Sequence, residues 1–156
     1  MKYLPLDVKQ QSINLVVIDI FSRFLWEEPL KNKTGKEVVN GLKKIFSQGR
    51  KCKKLSSDRG SEFVNQTVKN YLKKENIYFF NTFNSNTKAN FSERVIKTIR
   101  MKLFRFFTKN RTYRYIDNLK EIVQSYNNTP HSGLINITPS NFLGIYVFET
   151  IKIKRS

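Results

Sequence analysis

Leu55-Ser56-Ser57-Asp58-Arg59-Gly60-Ser61-Glu62-Phe63 is the stretch whose reading decides the fold. A short apolar-and-polar run ends in an aspartate, a glycine allows a turn, and a helix-compatible run opens. That is how a chain displays a carboxylate at the end of a strand. Working outward, residues 53–57 predict the short strand that leads to Asp58. Ser61 predicts an N-cap for a helix over 62–75, with Phe63, Val68, Tyr71 and Leu72 as its apolar members. Residues 77–80 predict another short strand. Upstream, Val38, Val39, Leu42, Ile45 and Phe46 recur at helical spacing. They predict a helix over 35–46, capped by Thr34 or Asn32 and ended by Gly49.

The N-terminal part reads differently. Residues 13–20 are β-branched and almost continuously apolar, as in a strand buried on both faces. Residues 1–8 alternate loosely and carry Asp7. The polar Lys9-Gln10-Gln11-Ser12 suits a hairpin turn between the two. Residues 24–30 predict a third strand ending near Pro29. Three strands a few residues apart argue for an antiparallel meander, followed by helix, strand, helix, strand. The class is therefore α/β, with a five-stranded mixed sheet, three strands antiparallel and then parallel, flanked by helices. Residues 81–90 are rich in Asn, Ser and Thr and predict a loop. Helices are expected over 91–107, on Val95, Ile99, Leu103 and Phe106, and over 113–126. Residues 127–131 read as a turn, and Pro139 suits the first position of a last short helix. The stretch after Gly144 has no assigned element. The expectation is one domain over residues 1–145, with a basic tail over 146–156.

Composition narrows the partners. The 156 residues carry a formal net charge of +17. Such an excess repels itself and calls for an anionic partner, nucleic acid before a membrane surface. The lone Cys52 excludes an internal disulfide and a cysteine-based zinc cluster; the lysines beside it favour the thiolate, but a strand-edge spectator is a simpler reading than a nucleophile. No apolar run approaches the ~18–20 residues of a membrane span, and no secretory leader is recognisable. An intracellular protein is expected, without a membrane partner.

Three carboxylates stand out by placement: Asp7 on the first expected strand, Asp58 just past the fourth, and Glu93 in the first turn of the long helix. Acids gathered in so basic a chain need compensation, and two hard divalent cations provide it. Mg²⁺ takes carboxylate oxygens and keeps water and substrate phosphate as further ligands. A metal pair can serve both the attacking and the leaving oxygen of an in-line phosphoryl displacement. Singly, each acid is more simply a turn former or a helix-end charge. Lys97 and Arg100 follow Glu93 by four and seven residues, on the same helix face. From Arg94 to Arg114 there are eight basic residues, Arg105 among them, and no acidic one. A solvated helix face mixes signs, so a single-sign run interleaved with Phe104, Phe106, Tyr113 and Tyr115 is better explained by a polyanion.

Several motifs then fall in one order: Val17-Ile18-Asp19-Ile20-Phe21-Ser22-Arg23, Pro29-Leu30-Lys31-Asn32-Lys33-Thr34, Ser57-Asp58-Arg59-Gly60-Ser61-Glu62-Phe63, Ser92-Glu93-Arg94, and Tyr126-Asn127-Asn128-Thr129-Pro130-His131 with Pro139 downstream. Together they resemble the catalytic core of retroviral-type integrases, most of all those of Maverick/Polinton and Ty3/gypsy-like mobile elements. The resemblance spans about residues 3–145. It implies a ribonuclease-H-like fold and an Asp–Asp–Glu triad holding two Mg²⁺ or Mn²⁺ ions. It implies DNA integration, by trimming of 3′ ends and their joining to target DNA. DNA and further copies of the chain are the expected partners, and the nucleus the expected place. Asp58 becomes the second acid and Glu93 the third, with thirty-four residues between them. Arg94, Lys97, Arg100 and Arg105 become DNA contacts. For the first acid, one register selects Asp7. Another puts Leu4 in that place with Asp7 as an accessory acid, and Asp19 is a third candidate.

The chain also departs from that family. Ile96 stands where the family commonly has Asn, three residues after the glutamate. One His and one Cys cannot build the family's His-His-Cys-Cys zinc domain, and His131 is expected to make a local hydrogen bond in its turn. Two other readings stay open: a catalytically inactive, truncated or domesticated DNA-binding or oligomerisation module, and a related nuclease acting on RNA–DNA hybrids.

Overall fold

The computed structural model describes residues 13–50, 52–57, 60–81, 86–111, 118–134, 136–141 and 147–153, with backbone alone for 86–93 and 147–153. The elements are β1 (Ile13–Asp19), β2 (Leu25–Leu30), α1 (Gly35–Phe46), β3 (Lys54–Ser57), α2 (Gln66–Lys74), β4 (Tyr78–Asn81), α3 (Asn86–Asn110), α4 (Leu119–Asn127) and β5 (Val147–Ile153). The strands form one sheet in the order β2-β1-β5-β3-β4. β1 runs antiparallel to both β2 and β5, while β3 runs parallel to both β5 and β4.

β1 is buried on both faces, which accounts for its unbroken apolar run. Leu15 and Val17 face a cluster completed by Trp26, Leu55 and Phe63, by Val38, Leu42 and Ile45 of α1, and by Val68 and Leu72 of α2. Val16 and Ile18 face the other way, with Leu25, onto Val95 and Ile99 of α3 and Tyr126 of α4. Two helices therefore cover each face of the sheet. Pro29 lies inside β2, opposite Asn14, and is tolerated because β2 is an edge strand.

Several boundaries differ from expectation. α1 is as predicted, with Thr34 Oγ1 accepting from the Glu37 amide. α2 begins at Gln66, not at Glu62, and Asn65 rather than Ser61 is its cap, accepting from the Val68 amide at 3.1 Å. Phe63 is the reason. The amides of Phe63 and Val64 both donate to the Gly60 carbonyl, at 2.9 and 3.1 Å. That turn drives the Phe63 ring into the core before the helix can start. The same Asn65 packs on Gly35, where a Cβ would stand 1.8 Å from its Nδ2.

α3 is longer than expected, since it begins at Asn86, inside the stretch read as a loop. Asn and Thr cost a helix only fractions of a kcal/mol each, about 0.7 at most, and a following amphipathic run outweighs that. Arg111, at φ 50°, ends the helix in the left-handed region. α4 begins at Leu119, and residues 112–117 of the helix predicted over 113–126 lie outside the described residues. The last predicted helix is one 3-10 turn, Pro139–Asn141.

The largest difference is in the sheet's membership. β5 comes from the stretch left without an element, and it lies at the centre. The first strand predicted over residues 1–8 lies outside the described residues, and β1 has both its edges paired, with β2 and β5.

One side chain holds α4 to the sheet. The buried Asn127 amide donates to the Leu25 carbonyl and accepts from the Leu25 amide, each at 2.9 Å. It thus acts as a strand partner for the open edge of β2. Asn127→Ala leaves a buried donor and a buried acceptor unmatched, at about 1–3 kcal/mol each. A loss of about 3 kcal/mol in urea unfolding is expected; a loss below about 1 kcal/mol would show that water replaces the amide.

Candidate active site and nucleic-acid interface

β3 ends at Ser57, which is buried and donates through Oγ to Asn81 Oδ1 of β4 at 3.3 Å. The Gly60 turn and buried Phe63 anchor the chain on the far side. The described residues on either side of Asp58 are thus held in place by hydrogen bonds and burial. Asp7 and Asp58 themselves lie outside the described residues, and Glu93 is described by its backbone alone, within α3. Among the described residues no three His, Cys, Asp or Glu side chains come together as a metal site.

Asp19, the third candidate for the first acid, has a structural role. It is fully buried and accepts from the amides of Phe21 and Ser22, at 3.2 and 3.3 Å, and from the Ser22 hydroxyl. Its backbone closes the same turn, accepting from Arg23 at 2.8 Å and donating to Phe24 at 2.9 Å. Every Asp19 oxygen is thus committed to the β1–β2 turn. Arg50, which the sequence did not single out, braces that turn. Its guanidinium lies 4.0 Å from the Phe24 ring centroid, donates to Ser22 Oγ, and reaches the Pro139 carbonyl at 3.2 Å.

The basic run divides in two on α3. Arg94, Lys97, Arg100 and Arg105 are exposed, as are Lys109 and Arg111. Lys102 instead donates to Ser125 Oγ of α4 at 3.0 Å and helps bind the two helices together. Ile96 is half-buried and packs against the Val95–Ile99–Tyr126 cluster. It belongs to the core face of α3, which is a packing reason for an apolar residue there. No helix among the described residues is long and apolar enough to cross a membrane.

His131 keeps the local role expected of it. Its amide donates to the Ile137 carbonyl at 3.3 Å, and its ring lies 4.8 Å from that of Tyr126. Burial, and then the nearby charges of Arg23 and Lys102, push its pKa down despite an opposing hydrogen bond with the Tyr126 backbone. Burial also holds the Tyr126 phenol up at about 12.

One cavity went unread in the sequence. An open cleft of about 570 Å³ lies between β2 and α4, lined in part by Leu25, Glu27, Val123, Gln124 and Asn127. The Glu27 carboxylate oxygens are buried without a hydrogen-bond partner. Burial raises the pKa of this group to about 7, and neighbouring Asn14 offsets only part of the shift. The signal for it was an acid at an inward position of β2, opposite Val16.

Residues 1–82 match the family described as the integrase core domain. A transposon-derived protein of Caenorhabditis elegans is 32% identical over 145 residues, which are 90% of this chain and 50% of that protein. The retrovirus-related Pol polyprotein from transposon 297 of Drosophila melanogaster is 29% identical over 140 residues, 88% of this chain and 13% of that polyprotein. This chain thus spans half or less of the length of these relatives. Among solved structures, the HTLV-2 integrase catalytic core domain in complex with magnesium, in its dimeric form, superposes with a TM-score of 0.69 at 17% identity, over 82% of each chain. That likeness is one of fold, the ribonuclease-H-like α/β fold of integrase catalytic cores.

Glu27 makes stability depend on pH. Its folded-state pKa lies above the ordinary 4.5, so the folded protein binds the extra proton and loses stability as pH rises from about 4.5 through 7. The loss reaches up to about 3 kcal/mol. Urea midpoints measured across that range should fall for the wild type and stay flatter for Glu27→Gln; equal slopes would show that folding leaves the Glu27 pKa unshifted.

Proposed function

Because the chain belongs to the integrase core domain family, we propose that it is the catalytic core of a mobile-element DNA integrase, which trims 3′ ends of element DNA and joins them to target DNA. The observation that carries this reading is the family match, supported by transposon-derived and Pol relatives along nearly the whole chain. The Maverick/Polinton and Ty3/gypsy affinity suggested by the motifs is part of the proposal, as are nuclear action and self-association.

In this reading Asp58 and Glu93 hold a divalent metal pair, with Asp7 as the third ligand. Carboxylates are hard oxygen donors, so the donor set suits Mg²⁺ or Mn²⁺, and the HTLV-2 core was solved with magnesium. When bound, the metals supply Lewis acidity at the phosphate and lower the pKa of the attacking hydroxyl or water. The chain's own cations do the positioning. Lys97 and Arg100 follow Glu93 on the exposed side of α3 and grip phosphates next to the scissile one. Arg94 and Arg105 extend the grip along the helix. Water acts as nucleophile in end trimming, and the freed 3′-hydroxyl in joining.

One observation favours a second reading, a DNA-binding module without catalysis. The strand beside β3 is β5, whose last pair along β3 is Thr150 with Ser57. The next residue of β5 is Ile151, opposite Val16, so β5 brings no carboxylate level with Ser57 or beyond it; its one acid, Glu149, pairs with Ser56.

Asp58→Asn and Glu93→Gln should each abolish metal-dependent joining of labelled oligonucleotides and leave binding intact. Joining that survives both changes rejects the triad, and metal-independent binding with no joining in the wild type selects the second reading. Lys97→Ala with Arg100→Ala should weaken binding to all duplexes alike and lower the log–log salt slope by about 2. An unchanged slope would place the phosphate contacts elsewhere.

A further inference from the structure

The outward face of α3 carries a feature that phosphate binding does not use. Phe104 is 65% exposed and Met101 is 47% exposed. They are three residues apart, so they adjoin on one face. The inward face of the same helix is already committed, through Val95, Ile99 and, partly, Leu103. The Phe104 ring meets Phe107 in a T-shaped pair, at 6.4 Å and 84°, and still keeps most of its surface open to solvent.

A single exposed apolar side chain is ordinary. This one is different in its setting. Lys97, Arg100 and Arg105 stand exposed around it, and no acid occurs between Arg94 and Arg111. An apolar knob inside a ring of one charge sign is a poor surface for a second copy of a chain with net charge +17, because like charges would meet across the contact. It suits a partner that is anionic and offers a flat π-system, which is nucleic acid. Bases inside a duplex stack on one another and show only their edges in the grooves. A ring on a helix surface can stack only on a base that has left the duplex, as at a frayed end or a single-stranded tail.

We propose that the Met101–Phe104 face of α3 binds an unpaired base. The Phe104 ring stacks on it, Met101 packs along its edge, and Lys97, Arg100 and Arg105 hold the adjoining phosphates. This rests on the reading of the chain as a DNA-handling core. It adds a preference for duplex ends whose terminal bases are unpaired.

The test uses the whole chain and three probes: a short blunt duplex, the same duplex with a single-stranded 3′ tail, and the tailed duplex with 2-aminopurine as its first unpaired base. Fluorescence anisotropy should show the wild type binding the tailed duplex roughly tenfold more tightly than the blunt one, with the 2-aminopurine emission quenched on binding. Phe104→Ala should lose the preference and the quenching, Phe104→Trp should keep both, and Met101→Ala should reduce the preference. A preference that survives in the Phe104→Ala, Met101→Ala double variant overturns the proposal. So does a wild-type dimer in sedimentation that Phe104→Ala turns into a monomer, since the face would then be a contact between copies. Wild-type binding with no preference for the tail overturns this inference alone, whereas no DNA binding at all overturns the function proposed above.

Discussion

Two hydrogen bonds between residues 102 positions apart hold the arrangement together. Asn127 gives its amide to both backbone groups of Leu25, and an amide is the one neutral side-chain group that can donate and accept in a single plane, as a neighbouring strand would. Leu25 is fully buried on the edge strand, where unmatched backbone groups are costly. The clamp fixes α4 against β2. Tyr126 beside it joins the cluster of Val16, Ile18, Val95 and Ile99, and Ser125 takes the Lys102 ammonium. The direction of α3, and so the direction in which its cations point, follows from this clamp together with the packing of Val95 and Ile99 on Val16 and Ile18.

Much of the frame was legible from residue patterns. β1 declares itself by its apolar run, and α1 by Thr34 and the spacing of Val38, Leu42 and Ile45. Misreadings occurred where tertiary contacts override a local signal. Ser61 and Glu62 look like a helix start, but Phe63 is needed in the core and the chain turns first. The Asn- and Thr-rich run before Phe91 looks like a loop, yet from Asn86 it is helix. Asn127 reads as a turn residue until its partner, far away in sequence, is known. β5 is rich in β-branched residues and alternates, but nothing local says that it belongs at the centre of a sheet whose other strands all lie far upstream.

The site was less legible than the frame. Lys97 and Arg100, expected to share a helix face with Glu93, are both exposed on α3, whereas Lys102 of the same basic run bonds to α4. Asp19, inside one of the same motifs, is absorbed by its own turn, as an aspartate three residues before a serine could have suggested. Glu27 was missed because an acid in an edge strand is normally taken to face water, and here it faces α4.

β5 has one more consequence. The β2–β1 pair and the β3–β4 pair touch in the sheet only through it. Among the described strands it is also the last to be made. While the ribosome is still extending the chain, the two pairs have no ladder between them, and their inner edges stand open. Closing the sheet means bringing Val147–Ile153 back past more than a hundred residues to β1, a search of high contact order whose loop entropy must be overcome before any ladder bond forms. Closure of this sheet therefore waits on β5, and a ribosome-bound chain stalled short of that strand exposes two sticky edges at once.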